Sequence, residues 1–145
     1  MKIFFLILLL IGGFIYHNET TPWTKERKNK EIAKAIKENK RTILKGATSS
    51  PNISDAKVYH DKKNCGMVLK IKLMDMSHLD QAQIHKMAKS LKPIMVDMLK
   101  KQNDRDSNAL KYILKKGVYI GYKWYYANGK PLIAFKISDE DIHKS

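Results

Sequence analysis

The chain opens with an unbroken apolar run, Ile3 to Tyr16 of "MKIFFLILLLIGGFIY", preceded by a single Lys2. Further along, apolar positions recur at helix or strand spacing between charged ones. In "PWTKERKNKEIAKAIKENKRTILKG" a thin stripe of Ile32, Ile36 and Ile43, flanked by Ala33, Ala35 and Leu44, keeps a helical period. Thr21 reads as the N-cap, Pro22 as the first helical residue and Gly46 as the stop, which predicts a basic amphipathic helix over 21–46. "ATSSPNIS", 47–54, has the composition of a linker. "AKVYH" and "MVLKIKLM" then predict two strands joined by the turn "DKKNCG". Leu69, Ile71 and Leu73 fall on one face of the second strand and Lys70 and Lys72 on the other.

From Ser77 to Gln102, Ile84, Met87, Ala88, Leu91, Ile94, Met95, Met98 and Leu99 repeat at one helical rhythm. Ser77 and Asp80 form a variant capping box, and Pro93 predicts a kink near Ser90. At this spacing the Met residues read as core packing. A shorter helix, capped by Asp106 or Ser107, runs to Lys116 and stops at Gly117. The last patterned stretch is "YIGYKWYYANGKPLIAFKI", in which Asn128-Gly129 predicts a two-residue type I′ hairpin. That register puts Tyr126 opposite Pro131, Trp124 opposite Ile133, Tyr122 opposite Phe135 and Ile120 opposite Ile137 on a core face, with Leu132 and Ala134 on the other. Tyr119, Lys123, Tyr125 and Lys136 face outward, with Lys130 near the turn.

The expected fold is α+β: a membrane helix and a basic helix, then a β-β-α-α-β-β domain. Its four-stranded antiparallel sheet would be covered on one face by helices. The segments are a signal anchor (1–20), the basic helix (21–46), the linker (47–54), the folded domain (55–138) and a polar tail (139–145).

Fourteen apolar or Gly residues span about 21 Å as a helix, short of the ~30 Å hydrocarbon core but matched to a secretory hydrophobic region. Neither an A-x-A-like pair nor a Cys follows the run, so an uncleaved signal anchor is the reading, with slipped cleavage as the alternative. Tyr16 and Trp23 would serve as aromatic anchors at the membrane interface. Signal-like architecture favours export of the domain. Lys25, Arg27, Lys28, Lys30 and Lys34 on the following flank argue, by the positive-inside rule, for the cytoplasm. The bacterial inner membrane with a periplasmic domain is the expectation, the cytoplasmic face the alternative.

The formal charge is +14 over 145 residues. Residues 24–46 carry nine Lys or Arg against three Glu, net +6, the densest stretch of charge. Such an excess suits anionic partners, namely a membrane surface, an acidic protein or an anionic envelope polymer. Lys28, Lys30, Lys34 and Lys37 are the candidates for contact with an anionic membrane, the other reading being a stalk or a helix docked by one edge on the domain. Only Arg27, Arg41 and Arg105 are not Lys among the 28 basic residues, which weighs against nucleic acid, where the Arg fork is favoured. Tyr119, Lys123, Tyr125 and Lys136 form the second candidate contact face, where Tyr and Lys on an open sheet could stack sugars or bases.

Catalytic patterns are missing. His17, His60, His78, His85 and His143 are scattered, and Cys65 stands alone and reads as a small buried hydrophobe. No H-E-x-x-H, G-x-S-x-G, CxxC or phosphate-binding loop occurs. No enzyme activity, metal or cofactor is expected.

The stretch "ALKYILKKGVYIGYKWYYANGKPLIAFKIS", with Gly117, Tyr122, Tyr126 and Gly129 in a helix-Gly-hairpin arrangement, resembles the C-terminus of small uncharacterised exported or membrane-anchored proteins of proteobacteria. The resemblance implies an envelope location and carries no biochemistry with it. The functional expectation is a membrane-tethered envelope interaction module. The alternative is an immunity protein neutralising a cognate toxin.

Overall fold

A computed structural model of the chain describes residues 23–76 and 78–143. The apolar run expected to be an anchor lies outside the described residues, as do Thr21 and Pro22. Among the described residues no helix is long and apolar enough to cross a membrane.

Helix α1, Lys25–Thr48, starts where the Thr24 side chain accepts from the Arg27 N–H at 3.2 Å. It runs two residues past Gly46, and a turn at 49–52 leads into β1, Ile53–Asp61. The expected linker is thus the last helical turn, a tight connection and the first strand residues. Ile32, Ala35, Ile43 and Ala47 are buried against the sheet, so α1 is part of the domain's core rather than a separate element. Two Ala in the stripe let the helix approach closely, which compensates for the small number of large apolar residues.

Strand β2, Gly66–Leu73, pairs antiparallel with β1 through a loop in which Cys65 takes φ 57° and its side chain is buried. Helices α2, Gln81–Lys89, α3, Leu91–Lys101, and α4, Arg105–Lys115, carry the chain to β3, Tyr119–Tyr125, and β4, Pro131–Ile137. The sheet order is β1-β2-β3-β4. Expectation and structure differ at its centre: β2 and β3 are parallel, so the sheet is mixed. The long helical crossover is what a parallel neighbour requires.

The expected kinked helix is two helices. Pro93 has no N–H to give to the carbonyl four residues back, so the helix ends at Lys89 and restarts from Ser90 with Pro93 in the new first turn. The caps also shift. Asp80 caps α2, accepting from the Ala82 N–H at 3.0 Å, and Asp104 caps α4, accepting from the Ser107 N–H at 3.4 Å. Helix α4 closes with Val118 N–H donating to Ile113 C=O and Gly117 N–H to Leu114 C=O, with Ile113 and Val118 both buried. The tail expected to be polar and frayed forms a last short helix, α5, Asp139–His143. It is held by Lys92–Asp141 at 3.2 Å and by Ile142 against the core.

The β3–β4 turn is not the expected two-residue one. Gly129 N–H donates to Tyr126 C=O and Tyr126 N–H to Lys130 C=O, with Gly129 at φ 87° and Asn128 at ordinary negative φ. This is a three-residue loop in which only the Gly takes the left-handed conformation. Pro131 therefore pairs with Tyr125 instead of the expected Tyr126, and Leu132, expected outward, is the extra residue opposite Trp124 and Tyr125 and is buried. Beyond that bulge the expected register holds: Trp124 faces Ile133, Tyr122 faces Phe135 and Ile120 faces Ile137. The helices join Leu69, Ile71, Leu73, Ile120, Tyr122 and Trp124 in one core on one face of the sheet. Trp23, expected at the membrane interface, lies in that core edge-on to Tyr112 with centroids 6.0 Å apart.

Candidate functional site

Among the described residues no element covers the other sheet face, and strand alternation dictates what stands on it. Residues of one parity point out: Asp55, Lys57, Tyr59 and Asp61 on β1, Val68, Lys70 and Lys72 on β2, Tyr119, Gly121, Lys123 and Tyr125 on β3, and Lys136 on β4. The registers place Lys57 beside Lys70 and Lys70 beside Lys123, a row of three lysines across three strands. At ~4.8 Å between strands, like charges directly opposite one another destabilise a sheet. No ion pair relieves the row among the described residues. Ala134 completes it on β4.

The tyrosines of this face position the lysines. The Lys70 ammonium stands 4.8 Å from the Tyr125 ring centroid, Lys136 is 4.5 Å from Tyr119 and Lys123 is 5.5 Å from Tyr59. The Tyr59 hydroxyl also raises the Lys123 pKa above the usual lysine value. Tyr119 is the most fixed of the three. Its ring lies across Gly66, where a Cβ would fall inside the ring's van der Waals envelope. Its hydroxyl donates to the Asp61 carboxylate. Burial and then that carboxylate push the Tyr119 phenol up, while the hydroxyl, followed by Asn64, holds Asp61 below its ordinary pKa of 3.8. Each outward ring therefore has an ammonium over it, and the face presents oriented cations instead of bare stacking platforms.

The Asp61 shift has a sign that can be checked. A carboxylate with a lowered native pKa adds stability above its unfolded value of about 4, and that contribution is lost as pH falls through the native value. Tyr119→Phe should thus be less stable than wild type at pH 7, with the gap closing toward pH 2 in acid unfolding. A gap of constant size across that range would mean that the hydroxyl–carboxylate contact does not set the Asp61 pKa.

The four expected outer-face residues, Tyr119, Lys123, Tyr125 and Lys136, do share this surface, Tyr119 being buried by its own seat on the sheet. Lys57, Tyr59, Lys70 and Lys72 complete it and were not grouped with them from the sequence. Their signal is the alternation in "AKVYH" and "MVLKIKL", which the parallel β2–β3 register brings into phase with "YKWY". The four lysines of α1 do not share one exposed side. Lys30, Lys34 and Lys37 are exposed along its outward side, joined by Arg41 one turn on, whereas the Lys28 side chain lies against Gly117.

The open face contains a shallow concavity of about 220 Å³, with Tyr59, Asp61, Val68, Gly121, Lys123 and Lys136 in its lining. A wider groove of about 760 Å³ runs between the β3–β4 turn and the β2–α2 connection, lined among others by Leu73, Met74, Met76 and Tyr126, with Asp75 and Lys130 as its charged lining residues. Among the described residues no group of His, Cys, Asp and Glu is placed to hold a metal ion. Compared with protein-family models, curated proteins and solved structures, the chain matches none.

Proposed function

We propose that this protein is a membrane-tethered interaction module whose open sheet face docks an anionic partner by charge. The observation that carries the reading is the Lys57–Lys70–Lys123 row, a destabilising arrangement that among the described residues has neither ion-pair partners nor a covering element. The Tyr pedestals support it, because ammonium groups fixed in advance lose less freedom on binding. The Ile3–Tyr16 run supplies the tether, and the exported, envelope setting follows from it and from the resemblance of the C-terminal hairpin.

Two basic surfaces then have separate roles. Helix α1 is about 36 Å long at ~1.5 Å per residue, and its outward stripe of Lys30, Lys34, Lys37 and Arg41 points away from the sheet. That stripe rests on anionic lipid and leaves the sheet face free for the partner. The test uses the full chain reconstituted in vesicles, with an environment-sensitive dye on a cysteine replacing Lys34 or Lys70. The dye at 34 should shift to the blue in vesicles with anionic lipid and not in neutral ones. The dye at 70 should respond only when soluble polyphosphate is added. The reverse pattern would put the sheet face on the membrane. An inactive C-terminal alkaline phosphatase fusion in a bacterial host would place the domain in the cytoplasm instead of the periplasm.

The immunity-protein reading uses the same face against one acidic protein. Co-purification of a single stoichiometric protein partner from membranes, with no affinity for polyphosphate, would favour it.

A further inference from the structure

We propose that the concavity between Lys123 and Lys136 is a binding site for a phosphate monoester group. The proposal rests on the reading of the open face as an anion-docking surface and names the chemistry of one place on it.

Geometry makes the first part of the case. Lys136 pairs across the β3–β4 ladder with Gly121, and Lys123 pairs with Ala134 two residues along, so the two lysines flank one spot diagonally. Lys136 leans over Tyr119 and Lys123 leans toward Tyr59, which holds their ammonium groups on either side of Gly121 and Val68. The hollow exists because position 121 has no side chain. A Cβ there would stand 3.1 Å from Tyr119 Cε2 and 3.2 Å from Val68 Cγ2, filling the space between them. About 220 Å³ equals roughly seven water volumes at ~30 Å³ each, enough for a tetrahedral anion and a short carbon stem.

Charge and hydrogen-bonding chemistry make the second part. Both cations are lysines, and all three arginines of the chain lie on helices away from this face. Lysine binds phosphate as a compact point charge, and a tetrahedral phosphate accepts from many directions, so two separate ammonium groups can engage it without the bidentate alignment that an Arg fork imposes. A monoester's second negative charge answers the second ammonium. The one acid in the lining, Asp61, is already engaged: it accepts from the Tyr119 hydroxyl, and from the Asn64 N–H at 3.2 Å and Nδ2 at 3.1 Å. A base or neutral sugar gains little here, since Tyr119 has the sheet beneath its ring and Lys136 above it.

The phosphate could belong to a soluble ester or to a lipid headgroup, and the experiment separates these. The full chain in non-ionic detergent is titrated with glycerol 1-phosphate and with inorganic phosphate, following backbone amide resonances. In a second arm it is added to neutral vesicles containing phosphatidic acid or, as the diester control, phosphatidylglycerol. The expected result is saturable shifts centred on Gly121, Lys123 and Lys136, with the diester at least fivefold weaker. Lys123→Gln/Lys136→Gln should weaken binding at least tenfold, and Lys57→Gln/Lys72→Gln by less than threefold. Saturation by the soluble esters assigns a soluble source. Saturation only by phosphatidic acid assigns the lipid. Failure to saturate with any of these probes, or equal loss from the two double variants, overturns the site. If polyphosphate still binds the lysine row in that case, the open-face reading survives and the phosphate site alone is lost.

Discussion

Trp23→Ala should destabilise the domain by about 3–5 kcal/mol, the range for removing a large buried aromatic. Trp23 is 5% exposed, stands edge-on to Tyr112 at 6.0 Å and has the Arg27 guanidinium 5.0 Å from its ring. It fastens the first turn of α1 to α4, so its loss opens a cavity between two elements and weakens the docking of a 24-residue helix. Domain stabilities are typically about 5–15 kcal/mol, so this change would take a large share of the total and lower the melting temperature of the full chain in non-ionic detergent by roughly 10 °C or more. Trp23→Phe, which keeps a ring in the site, should lose less than half as much. Trp124→Ala on β3 should match Trp23→Ala, while Tyr125→Ala on the open face should cost about 1 kcal/mol or less. A Trp23→Ala melt indistinguishable from wild type would mean that α1 does not belong to the folded domain. Residue 23 would then be free to act at the membrane, as its place after the apolar run first suggests.

The second large effect concerns binding. Each lysine close to a dense anionic surface contributes about 1 kcal/mol, so removing the row with Lys57→Gln, Lys70→Gln and Lys123→Gln together should cost about 3 kcal/mol, or roughly two orders of magnitude in affinity for polyphosphate. The same triple variant should fold at least as well as wild type, because three like charges side by side oppose the sheet. Lost binding without lost stability is the signature of a surface arranged for a partner. Removing Lys30, Lys34 and Lys37 from α1 should leave polyphosphate binding by the sheet within about threefold, since residual long-range attraction between separate faces is screened over a Debye length of ~10 Å at 0.1 M salt.

Much of the sheet was readable from alternation. In the hairpin, apolar residues at 120, 122 and 124 against 133, 135 and 137 can be buried together in only one register, and a one-residue slip would expose all of them. The turn was not readable to the same degree. Asn-Gly suits both a two-residue turn and a three-residue loop ending in Gly, and the choice fell to the Leu132 bulge, which local sequence does not announce. The parallel β2–β3 pairing is a tertiary outcome: neither strand's pattern specifies its neighbour's direction, although the three-helix crossover permits it. Docking of α1 by one edge was one of the two readings the sequence left open, and the structure bears it out. The extent of the buried edge was harder to read because Ala35 and Ala47 are small enough to look like spacers. The break at Ser90 changes the helical phase, which explains why Met87 shares the sequence rhythm yet ends up exposed. Half of the candidate surface, Tyr119, Lys123, Tyr125 and Lys136, followed from one hairpin. The other half lay on β1 and β2, and only the register across the sheet joined it to the first.

The most direct test of charge docking is the salt dependence of polyphosphate binding by the full chain, with wild type compared against the Lys57→Gln/Lys70→Gln/Lys123→Gln and Tyr125→Phe variants. Removing a cation that contacts phosphate reduces the slope of log affinity against log salt by about one. The slope should be shallower by about three for the lysine variant, with slope and affinity nearly unchanged for the tyrosine variant, because Phe still supports an ammonium over its ring. An unchanged slope after the lysines are removed would contradict charge docking.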